Sequence, residues 1–220
     1  MGGYIDQTRP HSVNHLITGL LGDHEIVLAA YDDGDVVAYY TNAIANVVFQ
    51  RAAQGGGQSN QNKAENCSSQ KRRARTLQPL LHENVGKSAW GLAIHQKSRL
   101  IAVSSNLREI TVFAPAIQTT PTASRTATKI LEPMSDVETR VRIRLRNWRI
   151  VILLGPQANN LPNICFLDDD AGLAEKVCGI DIKGLTWIAD IWKPRQPVHV
   201  ISPLEYKDLG GDEPVSSQST

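Results

Sequence analysis

The sequence predicts an all-β protein, and three observations carry that prediction. Apolar runs of strand length, rich in β-branched and aromatic residues, alternate with Gly/Asp turns, as in Glu25–Tyr40, EIVLAAYDDGDVVAYY. The pattern also returns along the chain. A slide of 74 residues sets Glu25–Tyr39 without gaps on Arg99–Phe113, and a slide of 150 sets it on Glu175–Ala189. Finally, two stretches poor in strand pattern, 51–79 and 116–139, have about the length needed to explain why the repeat is longer than a typical blade.

The elements follow in order. Residues 1–12 are polar and are read as a flexible N-terminus. HLITGLLG, EIVLAAY and DVVAYYTNAI then supply strands over 13–50, each too short to predict a helix. Residues 51–79, with GGG at 55–57, are dominated by Gly, Gln, Asn and Ser, and bury too little to offset their ordering entropy. They are expected to be a disordered insertion. SAWGLAIHQ, RLIAVSS and EITVFAPA form the next unit, over 80–115. An irregular linker is expected over 116–139. RVRIRLRNWRIVILLG, NICFLDD, AEKVCGIDIKG and LTWIADIW give a strand plus a third unit over 140–194, and 195–220 reads as a C-terminal tail.

Each copy is apolar strand, polar turn, apolar strand, preceded by a further apolar run. Tandem units of three or four short strands are the signature of propeller blades. The fold class is therefore a partial β-propeller of about three blades with disordered insertions. Insertions between strands are tolerated because loop-closure cost grows only logarithmically. Under the slides Asp32 meets Asn106, Asp35 meets Glu109 and Gly34 meets Gly184, so turn positions recur but carboxylates do not. DDGD is thus read as a hairpin turn, since Asp-Gly tolerates positive φ, and not as a metal site.

Composition excludes several classes. The chain has 220 residues and a formal net charge of +1, so no global field draws in nucleic acid or a membrane surface. No run of 18 apolar residues is present, and the N-terminus lacks a signal-peptide pattern. Three cysteines, Cys67, Cys165 and Cys178, form a sparse, odd set that fits free thiols in a reducing compartment. No phosphate-loop, dinucleotide or nucleophile-elbow motif occurs, and no Cys-x-x-Cys pair. No catalytic residue, metal ligand, cofactor or small-molecule substrate is assigned.

The remaining constellations have two readings each. Asp168, Asp169 and Asp170 are adjacent acids, without the alternation a calcium loop requires, and read as a solvated loop. Arg140, Arg142, Arg144 and Arg146 alternate with Val141, Ile143 and Leu145, which puts them on one face of a strand. That face is an edge guarded by charge, or a stripe for an anionic partner. Lys71, Arg72, Arg73 and Arg75 form a basic cluster suited to nuclear import. A propeller enzyme would need acids of different blades to converge, with Asp35, Glu109 and Asp168 the candidates. At least three of Trp90, Trp148, Trp187 and Trp192 are expected in the core.

Three blocks carry a family resemblance: HLITGLLGDHEIVLAAYDDGDVVAYY, NVGKSAWGLAIHQKSRLIAVSSNLREITVF and NLPNICFLDDDAGLAEKVCGIDIKGLTWIADIW. Together they resemble the WD40-type fungal family named for regulation of ribonucleotide reductase gene transcription. The resemblance covers about Val13–Pro194, less the insertions, and Asp190-Ile191-Trp192 resembles a degenerate end of a WD repeat. It implies a WD40-like propeller that is no enzyme, works as an interaction scaffold in the nucleus and/or cytoplasm, and binds protein partners through its faces. A nucleic-acid partner is the weaker alternative. Family members look longer, and closing a propeller takes at least four blades, so the chain is expected to expose open radial faces and to associate through them.

Overall fold

In a computed structural model the described residues are 11–55, 77–116, 141, 144 and 146–203. Twelve strands form three four-stranded antiparallel sheets, each a meander in chain order. The first holds β1 (Val13–Leu21), β2 (His24–Tyr31), β3 (Asp35–Tyr40) and β4 (Leu81–Asn84). The second holds β5 (Ala89–His95), β6 (Leu100–Ser105), β7 (Glu109–Ala114) and β8 (Trp148–Leu153). The third holds β9 (Asn163–Asp168), β10 (Ala174–Ile180), β11 (Thr186–Asp190) and β12 (His199–Ile201). The first strands meet across the sheets, β1 against β5 and β5 against β9. They are the innermost strands of three successive propeller blades.

The repeat seen in the sequence is a repeat of strand register. Ala30 pairs with Val36 across the β2–β3 hairpin. Adding 74 to both numbers gives Ser104↔Ile110, and adding 150 gives Ile180↔Thr186, both of which are observed pairs.

The core lies between the sheets in two slabs. Ile26, Leu28, Val36 and Ala38 of the first blade pack on Ile101, Val103 and Phe113 of the second. Leu100, Ala102, Ile110 and Val112 pack from the other side of that second sheet toward Leu161, Val177 and Trp187. The middle sheet is therefore apolar on both faces. β6 and β7 are buried along their whole length, which explains why their apolar residues, Leu100–Val103 and Val112–Ala114, run on without alternation. Truncating a fully buried side chain such as Leu161 to Ala costs about 3 kcal/mol.

The sheets divide the chain differently from the expected stretches. Both long polar stretches fall inside blades, between the third and fourth strands. β4 pairs with β3 and β8 with β7 after the chain returns. Blade 1 thus extends past 50 to Asn84, and β8 belongs to the second blade, not to a strand that opens the third. β12 lies within the expected tail and pairs with β11. The stretch 41–55 is an α-helix, α1 (Thr41–Gly55), where a strand and the first residues of the insertion were expected. Its alanines favour helix. Val48 and Phe49 stay exposed on it. Residues 56–76 and 117–140 lie largely or wholly within the expected insertions and outside the described residues.

Candidate functional site

The second-to-third-strand turns are the equivalent points of the three blades. Each closes with a backbone bond from its fourth residue to its first: Gly34 N–H to Tyr31 O, Arg108 N–H to Ser105 O, Gly184 N–H to Asp181 O. The fourth residue has positive φ each time, at 90°, 62° and 83°. Glycine takes that conformation without strain in the first and third turns.

In the first turn the DDGD carboxylates separate by burial. Asp32 is 45% exposed and lies 3.2 Å from His11 Nδ1, while Asp33 lies 3.5 Å from His11 Nε2. These three side chains gather within 4.8 Å, but the imidazole offers opposite nitrogens to the two acids. One ion could take only one of those nitrogens, so the arrangement is an imidazole bridging two carboxylates. Asp33 Oδ1 also accepts from Asp35 N–H at 3.0 Å, which makes it an Asx turn. Asp35 is 1% exposed. It accepts from Asn84 Nδ2 at 2.7 Å and lies 3.2 Å from His82 Nε2, so it ties β3 to β4.

In the third turn Asp181 does this work from the turn itself. Its Oδ1 accepts from the Lys183 and Leu185 N–H groups, and its Oδ2 from Trp187 Nε1 at 3.2 Å and from Asn159. Burial opposes ionisation, but the bonds from Asn159, Leu185, Lys183 and Trp187 outweigh it and hold the carboxyl below its ordinary range. Glu109, the second-blade counterpart of Asp35, is pushed the other way by burial, against the pull of Arg149.

The acids considered for convergence sit at opposite ends of the sheets. Asp35 and Glu109 open third strands, whereas Asp168 ends β9 at the first-to-second-strand turn. An antiparallel meander puts those two turns a full strand length apart, roughly 20 Å for six residues. Asp168 instead faces His95 Nε2 at 2.9 Å, which links the second and third blades.

The arginine run is not a strand among the described residues; β8 begins at Trp148. Arg144 is buried and donates to Pro115 O at 2.6 Å, Val141 O at 2.9 Å, and the Ser98 and Arg99 carbonyls. Burial and the nearby Arg99 charge lower its pKa to about 10, so it is a cation at neutral pH. It clamps the returning chain to the β5–β6 turn. Arg146 lies over the Trp148 ring at 4.6 Å, exposed. The two therefore do not share one outward face. Arg140, Arg142 and the basic cluster Lys71, Arg72, Arg73 and Arg75 lie outside the described residues. Of the tryptophans, Trp187 is fully buried, Trp148 and Trp192 pack on the core, and Trp90 is half-buried.

Two surfaces stand out among the described residues. On the third sheet Ile164, Val177 and Trp187 turn toward the second blade, and the alternate positions turn away. That outer face presents Cys165, with Ile180 52% and Leu167 38% exposed. A groove of about 430 Å³ runs between the fourth strands of the second and third blades, lined by Leu153, Trp187, Pro197, Val198 and Val200. Sequence reasoning missed both Asp181 as a network centre and this groove. The slide of 150 does place DIKG on the DDGD hairpin, which marked the turn but not its acid.

Three consecutive four-stranded meanders, stacked through their first strands, define a β-propeller protein. The sequence model of the CRT10 family matches residues 5–183. The chain belongs to the CRT10 family. No curated protein matches it. Among solved structures, it is similar to the crystal structure of the Myceliophteria thermophila Cps50 (Swd1) β-propeller domain, at TM-score 0.43 and 9% identity. That likeness covers 90% of this chain and 45% of the other, so the chain spans less than half of its length.

Proposed function

We propose that this chain is a non-enzymatic WD40-type scaffold that holds protein partners on its blades and regulates ribonucleotide reductase gene transcription, in the nucleus and/or cytoplasm. The outer face of the third sheet carries this reading. There Ile180, Leu167 and Cys165 stand exposed beside Lys176 and Asp190, an apolar patch with a polar rim, and such patches mark protein contacts. The buried acids, by contrast, are engaged with the chain's own groups. Lys71, Arg72, Arg73 and Arg75 supply nuclear import. The nucleic-acid alternative, through Arg140–Arg146 and the 71–75 cluster, is weakened because Arg144 is occupied by four carbonyls.

The test is depletion of the protein in its own cells, with ribonucleotide reductase transcripts as the readout. Transcript levels should change, return with the wild-type chain, and fail to return with the doubly substituted Leu167→Glu, Ile180→Glu chain. Unchanged transcripts on depletion would overturn the regulatory reading. Full rescue by the double variant would overturn the assignment of this face.

A further inference from the structure

β9 and β10 pair so that Cys165 stands directly opposite Cys178. Directly opposed residues of an antiparallel pair have Cα atoms about 4.5–5.5 Å apart and share a face. That separation lies inside the range a disulfide bridges, about 4.4–6.8 Å. Burial and then the neighbouring Cys165 push the Cys178 thiol up, and both thiols are free. They differ in access. Cys165 is exposed, and Cys178 is half-buried, with its next neighbour Gly179 buried. Both lie on the outer face of the third sheet, opposite the face that packs on the second blade. Cys165 belongs to the exposed patch of the proposed scaffold role, but that role calls on its surface and not on its sulfur chemistry.

We propose that Cys165 and Cys178 form a redox-modification site that a peroxide converts to a cross-strand disulfide. The exposed Cys165 sulfur attacks the peroxide, whose O–O bond breaks. One oxygen stays on sulfur as a sulfenic acid and the other leaves as water. The Cys178 sulfur then displaces that hydroxyl, the S–O bond breaks, the S–S bond forms, and the thiol proton leaves with the hydroxyl as a second water. Two electrons pass from the two thiols to the peroxide. A dithiol reductant reverses the step by exchange. The bridge would close the β9–β10 hairpin and remove both S–H donors from the outer face.

The test treats the purified full chain with hydrogen peroxide, blocks remaining thiols by alkylation, and digests it with trypsin without reductant. Cleavage at Arg149, Lys176 and Lys183 separates the two cysteines into peptides Ile150–Lys176 and Val177–Lys183. These two peptides should appear linked, and titratable thiols should fall from the three of the sequence to one, Cys67. The linkage should survive Cys67→Ser and vanish in Cys165→Ser and in Cys178→Ser. In urea its selectivity over links to Cys67 should fall to what the shorter loop between Cys165 and Cys178 favours by itself. Either Cys165 passing on to sulfinic acid while Cys178 stays alkylatable, or the main links running to Cys67 or between chains, would overturn the proposal. So would an equally selective link in urea, because strand pairing would then not be its cause.

Discussion

The first and third blades close the same hairpin in the same register, yet they anchor it from different positions. In the third blade the acid is the first turn residue, Asp181, and one carboxylate gathers three backbone N–H groups, an amide side chain and the Trp187 indole. In the first blade that position is Tyr31, and the work passes to Asp33 and Asp35, which tie the turn to itself and to β4. The second blade has Ser105 there, whose hydroxyl accepts from Leu107 N–H. The geometric demand on each turn is the same: half-buried N–H groups next to a positive-φ residue must find acceptors. A carboxylate within reach on either side of the turn can meet it.

Substitutions sharpen the contrast. The largest loss is expected for Asp181→Ala, about 3 kcal/mol, because it strands the buried Trp187 indole N–H and several half-buried donors at once. Urea melts of this variant against Asp33→Ala provide the measurement, and an equal loss in the two would break the comparison. Next comes Gly34→Ala. An added Cβ there would lie 2.7 Å from the Lys87 backbone oxygen, on top of the positive φ, for a loss of about 2 kcal/mol. Gly184→Ala meets only Pro203 Cγ at 3.4 Å, so backbone strain alone should cost about 1 kcal/mol. Thermal melts of the pair should rank them in that order. Arg108→Gly relieves the strained φ at the same turn position of the second blade but gives up an exposed bond to Pro156 O. A gain of about 0.5 kcal/mol is expected, read as a raised urea midpoint.

The smallest effect is one of pH. The folded pKa of Asp181 is depressed, so its contribution is fully present above the ordinary value near 3.9 and is lost as pH falls through the lower folded value. Glu109 has the opposite sign. Its folded pKa is raised, so its contribution is present below the ordinary value near 4.3 and is lost as pH rises through the folded value. Stability measured against pH should therefore lose part of its acid limb in Asp181→Asn. In Glu109→Gln it should lose part of its decline above about pH 4. A parallel change in the two variants would show that the acids are equivalent after all.

The hairpins were legible because each is local. EIVLAAYDDGDVVAYY carries its alternation and its turn within one short stretch, and the slides of 74 and 150 reproduce the observed pairing. β4 and β12 were not, because LHEN and HVI are too short to show a period. The arginine run misled for a related reason. Alternation over Arg140–Arg146 matches a strand, but nothing local reveals that Arg144 meets three distant carbonyls, those of Pro115, Ser98 and Arg99. The helix was hidden because its apolar residues, Ile44, Val47 and Val48, continue the strand run before them.

By itself the sequence determined the three-fold repeat, the strand and turn character of each unit, and the places where long inserts interrupt it. These depend on side-chain alternation and on glycine at positive φ, which act over a few residues. Only the tertiary structure decided that each insert lies within a blade, that Asp181 replaces Asp33 and Asp35 as the anchor, and that Cys165 faces Cys178. Each of those outcomes joins groups far apart in sequence or in different strands. The fourth strand returns across an insert because the long loop adds little closure cost, while pairing satisfies an edge and buries its apolar face.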